Sequence, residues 1–225
     1  PIAPCKHIDP IPLQMATIYR QPPSQPHDAR KSVGLGPHDR LDKETLRTLL
    51  AGSFGKEMNR TLGRLIAREE AWDAAMELVR SGEERIAFRA SWALEWAYTL
   101  DPRPVEERFP GFLEDLLRSD HASVQRIYSK MLCDMMRRGA VAPDDAQAAA
   151  LAGKCGELLL SQTAPVAVRV WQIELLDDLR GRIGWVEENL TDIVREVSER
   201  PDCPPAMATC ARRYLQRANT RNKRR

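Results

Sequence analysis

Strand-like alternation is almost missing from this 225-residue chain. Apolar and polar residues scarcely ever alternate with a period of two, which leaves little material for a half-buried sheet. No run approaches the roughly 18 apolar residues that a membrane-spanning helix needs. Cysteine is sparse: Cys5, Cys133, Cys155, Cys203 and Cys210 make an odd number with no C-x-x-C, so a disulfide framework is not expected and a reducing cytoplasm fits. Cys133, Cys155 and Cys210 read as small apolar core residues. The chain has no H-E-x-x-H, no G-x-S-x-G, no zinc spacing and no cofactor fingerprint. Gly34-Leu35-Gly36 is not a phosphate loop, because no strand precedes it and no Gly-Lys-Ser/Thr follows. Neither a catalytic residue nor a metal site is assigned.

Charge of one sign is also lacking. Lys and Arg number 34 against 32 Asp and Glu, a net +2, which speaks against a general coat for polyanions. The balance hides an asymmetry. The last 14 residues hold Arg212, Arg213, Arg217, Arg221, Lys223, Arg224 and Arg225 and no acid, which leaves residues 1–211 at −5. This basic end reads either as a helix tail that suits the negative end of its own dipole or as a binding element for nucleic acid or an acidic protein.

Proline, by contrast, is concentrated. Eight of 16 prolines fall within residues 1–37, together with His7 and His27. Residues 1–40 are expected to form a Pro-rich, disordered arm, since they carry too little apolar surface to offset ordering entropy. Gln21 to Pro26 offers an alternative reading as a Pro-rich recognition segment. Proline density over residues 1–15 breaks the apolar helix of a secretory signal.

From residue 41 to 220, apolar residues recur at spacings of three and four. Asp42 is a candidate N-cap, Pro104, Pro143 and Pro205 fit first-turn positions, and breakers such as Gly82, Pro102, Gly139, Pro165, Gly181 and Pro201 separate about ten helices. The helices fall into pairs. Phe88, Val124, Val168 and Met207 occupy matching points, 36, 44 and 39 residues apart, and eight residues after each stands Trp96, Leu132, Leu176 or Leu215. Periods near 40 with two helices per unit point to a HEAT or armadillo-like array. The expected fold is all-α: a right-handed α-α superhelix of about four to five helix pairs, followed by a basic tail at 221–225.

Ile86-Ala87-Phe88-Arg89-Ala90-Ser91-Trp92-Ala93-Leu94 resembles the second helix of a HEAT repeat. The region from Trp72 to Ala218 is similar to a group of small, largely uncharacterised bacterial HEAT-like repeat proteins, in which an aromatic-Arg-Ala-x-Trp string follows a Ser-Gly turn. Ser81-Gly82 and Phe88 to Trp92 match that string. The resemblance implies a fold and an extended concave surface but no catalytic motif.

Arg89, Arg126 and Arg169 lie near equivalent points on successive second helices. They read as a structural ladder, with Glu83 and Asp120 as acid partners of Arg89 and Arg126, or as a ligand-facing basic stripe. Trp92 and Trp96 share one helix face and read as packing residues or as an aromatic cleft. The pairs Asp144-Asp145, Asp177-Asp178 and Glu187-Glu188 read as caps or solvated faces, and His121 as an isolated turn histidine. The favoured function is a non-catalytic scaffold whose concave face binds a protein or peptide. The rival is a nucleic-acid-binding protein, in one form a DNA glycosylase-like repair enzyme with Glu95 as its carboxylate. No membrane association is expected.

Overall fold

A computed structural model describes residues 30, 33–36, 40–53 and 55–222. The chain divides into two units, 1–39 and 40–225. In the first, the Arg30 guanidinium donates to the Gly36 carbonyl at 2.6 Å across a turn in which Gly34 takes a positive φ of 75°. Gln21 to Pro26, His7, His27, His38 and Lys223 to Arg225 lie outside the described residues, as does most of the Pro-rich arm.

The second unit is helical throughout its regular structure, with eleven helices and no strand among the described residues. They are α1 (Lys43–Ala51), α2 (Lys56–Arg68), α3 (Trp72–Val79), α4 (Glu84–Leu100), α5 (Arg103–Glu107), α6 (Phe109–Arg118), α7 (Ala122–Arg137), α8 (Asp145–Leu160), α9 (Val166–Asp178), α10 (Gly184–Glu199) and α11 (Pro205–Asn222). The sequence reading merges α5 into the linker before α6. Among the described residues no helix is long and apolar enough to cross a membrane.

Local chemistry sets the ends of these helices. Asp42 caps α1 by accepting from the Thr45 N–H at 2.9 Å, and Leu41 and Leu46, at N′ and N4, are both buried as a hydrophobic staple. Asp144 and Gln147 form a reciprocal capping box on α8. Pro143 therefore precedes this helix instead of opening it. At the end of α7, Gly139 has φ 69°; its N–H bonds to Met136 and that of Ala140 to Met135, the two bonds of a Schellman motif. His121 caps α7 by accepting from the Ser123 N–H at Nδ1, which leaves the Nε2 proton to donate to the Glu84 carbonyl at 2.9 Å. That bond ties the turn before α7 to the start of α4.

Packing follows the paired layout. α3 packs on α4, α6 on α7, α8 on α9 and α10 on α11. The second helices also pack on one another in series, α4 on α7, α7 on α9 and α9 on α11, with α2 on α4 ahead of them. The repeat anchors Val124, Val168 and Met207 are buried, as are Leu132 and Leu176 two turns later. Phe88 instead lies half-buried and stacked on Trp92, with ring centroids 5.7 Å apart. Phe112 of α6 stacks on the fully buried Tyr128 of α7 at 4.1 Å.

Polar contacts repeat with the same period. Arg47 meets Glu83, Arg80 meets Asp115, Arg108 meets Asp73, Lys130 meets Glu95 and Arg182 meets Asp145. These partners stand 35 to 37 residues apart, one unit to the next. Several of these pairs are largely exposed, so they mark the register between units more than they stabilise it.

Candidate functional site

The arginines singled out on the second helices serve the backbone of neighbouring helices. Arg89 donates from Nη1 to the carbonyls of Leu50 and Gly52, at 2.5 and 2.8 Å, at the end of α1. Arg169, only 8% exposed, donates from Nε to Leu159 at the end of α8. Both satisfy C-terminal carbonyls that a helix leaves without partners, at the negative end of its dipole. The matching position on α7 is Gln125, not Arg126, and its side-chain amide donates to Ser119 at the end of α6 at 2.8 Å. The rung that the sequence places at Arg126 therefore shifts by one residue. Arg126 is half-buried and makes no ion pair with a described residue. The expected acid partners lie elsewhere: Glu83 pairs with Arg47 at 2.7 Å, and Asp120 lies 3.5 Å from Lys154.

Trp96 is seated against α2. A Cβ placed on Gly63 would lie 2.6 Å from its Cδ1 and 2.7 Å from its Cβ, and the Arg60 guanidinium sits 5.1 Å from the ring centroid. Trp92 stacks on Phe88. Glu95, between the two tryptophans, is 8% exposed and accepts from Lys130 Nζ at 2.8 Å.

The basic end divides in two. Arg217 contacts Glu174 at 3.0 Å and Asp177 at 3.4 Å, and Arg221 meets Asp177 at 2.6 Å. Arg212 and Arg213 are exposed and make no ion pair with a described residue. Asp177-Asp178 is accordingly not a solvated face. Arg137, on α7, forks onto Asp178 at 2.9 and 3.0 Å and onto Glu174 at 2.7 Å. One network thus joins α7, α9 and α11.

Burial pushes the Asp178 carboxyl up to about 6, aided by Asp177 and Glu174 and opposed by Arg137. Burial also acts to raise Glu174, but Arg217 and Arg137 outweigh it and hold that carboxyl below its ordinary range. The two carboxyls have opposite linkage signs. Asp178 contributes stability below its unfolded value of 3.8 that is lost as pH rises through about 6; Glu174 contributes stability above its unfolded value of 4.5 that is lost as pH falls. Asp178→Asn is therefore expected to lose less stability than the parent chain between pH 4 and 7. Thermal melts across that window check it, and parallel curves would contradict it.

Beside this network an open groove of about 480 Å³ runs between α9 and α11. Val170, Trp171 and Glu174 of α9 face Ala206, Cys210 and Arg213 of α11 across it. On α9 these residues lie off the buried stripe of Val168, Gln172, Ile173, Leu175 and Leu176. The Cys210 thiol donates to the Val170 carbonyl at 3.7 Å, and burial pushes its pKa up to about 11, so it is a neutral thiol and no nucleophile at pH 7. Pro205 opens α11, where a missing N–H costs nothing.

No family model, curated protein or solved structure matches this chain. None of Arg89, Trp92, Trp96, Arg126 and Arg169 lines the groove. Its residues carry no spacing motif. The available signal was Trp171 itself, a large aromatic standing outside the buried stripe of its own helix.

Proposed function

We propose that the chain is a non-catalytic interaction scaffold of the HEAT or armadillo type, a right-handed superhelix whose second helices present the binding face to a protein or peptide. The observation that carries this reading is the serial packing of α2, α4, α7, α9 and α11, with a groove opening between the last two. Stacked helix pairs of this kind offer long surfaces built from one residue position per unit. On this reading Gln125 and Arg169 hold the two helices of their own pairs together and Arg89 ties α4 back to α1, and the outward side of α7, α9 and α11 does the binding.

A second reading, nucleic-acid binding, draws on Arg212 and Arg213, which are exposed and outside the ion-pair network. Its glycosylase-like form has less support, because Glu95 is buried and held by Lys130. One pair of variants separates the readings. A scaffold is expected to co-purify with a protein in fixed stoichiometry that Val170→Asp with Thr209→Asp, one on each wall of the groove, abolishes. Steeply salt-dependent binding of duplex DNA that Arg212→Glu with Arg213→Glu removes, with no such protein recovered, would overturn the scaffold reading.

A further inference from the structure

We infer that the groove between α9 and α11 docks a peptide segment in which a bulky apolar side chain is followed or preceded by a carboxylate. The apolar group sits against Val170, Trp171 and Ala206, and Arg213 takes the carboxylate. This inference deepens the scaffold reading and rests on it.

The shape of the groove sets the first half. Its apolar lining comes from Val170, Trp171, Pro205 and Ala206, with the Thr209 hydroxyl and Cys210 thiol between them, and its size lies within the range, about 300–1,000 Å³, of sites that accept small organic groups. The groove is open along one side, which suits a side chain projecting from a chain that runs across it.

The charge inventory sets the second half. Two charged side chains line the groove, Glu174 and Arg213. The Glu174 carboxylate is already held by Arg137 at 2.7 Å and by Arg217 at 3.0 Å, so its charge is balanced from within the protein. Arg213 is exposed and has no ion pair with a described residue. The Cys210 thiol is neutral. The charge left uncompensated is therefore positive. The first turn of α11 carries no acid, and its dipole adds potential of the same sign at the end of the groove where Ala206 stands. An incoming lysine or arginine would meet Arg213 with no carboxylate free to receive it, so the field discriminates as well as attracts.

The test is selection of a random peptide library displayed on phage against the full chain, followed by fluorescence anisotropy with synthetic copies of the enriched peptides. The expected peptides combine Asp or Glu with Leu, Ile, Phe or Trp. Their affinity is expected to fall about ten-fold or more with Arg213→Glu and with Ala206→Trp, and replacing the acid of the peptide by lysine is expected to restore binding to Arg213→Glu. Ala206 and Arg213 are exposed, so both variants should melt like the parent chain. Peptides that lose affinity with Arg126→Glu but ignore Arg213→Glu and Ala206→Trp would overturn the groove assignment and leave the scaffold reading standing. Enriched peptides without an acid, bound equally by Arg213→Glu, would overturn the carboxylate assignment. If no peptide is enriched, the groove assignment falls, and co-purification of a protein partner decides the scaffold reading separately.

Discussion

Gly63→Ala is expected to destabilise the helical unit by about 2–3 kcal/mol, although alanine is the better helix former by about 1 kcal/mol. The reason is the seat of Trp96. The added methyl would lie 2.6 Å from the Trp96 Cδ1, 2.7 Å from its Cβ and 3.0 Å from the Ala97 nitrogen. A ring edge alone could swing away. The Cβ and a backbone nitrogen cannot move unless α4 itself moves, and α4 also packs on α3 and α7. Gly153→Ala on α8 is the matched control: it is exposed, and nothing lies within 4 Å of the methyl it would gain. That substitution is expected to be neutral or to stabilise by up to about 1 kcal/mol. Urea midpoints of the two variants, compared with the parent, decide the matter. Equal midpoints would show that α2 and α4 do not meet through Gly63.

The second large effect is expected at Arg137. Arg137→Met should cost about 3–5 kcal/mol, because it leaves partly buried carboxylates without their cation. Arg137 supplies the cation that contacts both Glu174 and Asp178 from α7. Glu174 keeps Arg217, so the greater loss falls on Asp178, whose carboxyl burial already pushes up to about 6. The deficit should shrink at pH 5, where the orphaned Asp178 takes a proton, and it should shrink again in Arg137→Met with Asp178→Asn. A double-mutant cycle read by urea unfolding at pH 5 and pH 7 tests both statements. Arg47→Met removes an exposed pair with Glu83 and is expected to leave the midpoint nearly unchanged. A small, pH-independent loss at Arg137 would mean that the network is no better than such a surface pair.

Much of the helical layout was readable one residue at a time. Asp42 announced the start of α1, and the Gly139 and Pro205 positions announced an end and a start. The spacing of Phe88, Val124, Val168 and Met207 also carried the period at which polar partners recur, since most of the ion pairs between units, from Lys43–Glu77 to Arg221–Asp177, span 34 to 44 residues. The sites were less readable. In sequence Arg126 reads as the rung that Gln125 occupies, because composition favours arginine and only the direction of the side chain favours glutamine. Asp177-Asp178 looked like solvated charge, and the arginines that claim it lie 41 and 44 residues away.

The net charge of +2 shows where the division lies. Composition and periodicity alone place a basic end behind a mildly acidic body and require helices of one-sided apolarity to stack in order to be buried. Which of those charges remain available depends on helix packing: Arg217 and Arg221 are consumed by Glu174 and Asp177, while Arg213 stands at the rim of a groove. Helix formation and capping are governed by contacts within about four residues, so a linear pattern contains them. Ion pairing and close approach, as at Gly63, depend on where two helices cross. That is set by packing between segments about 40 residues apart and has no local signature.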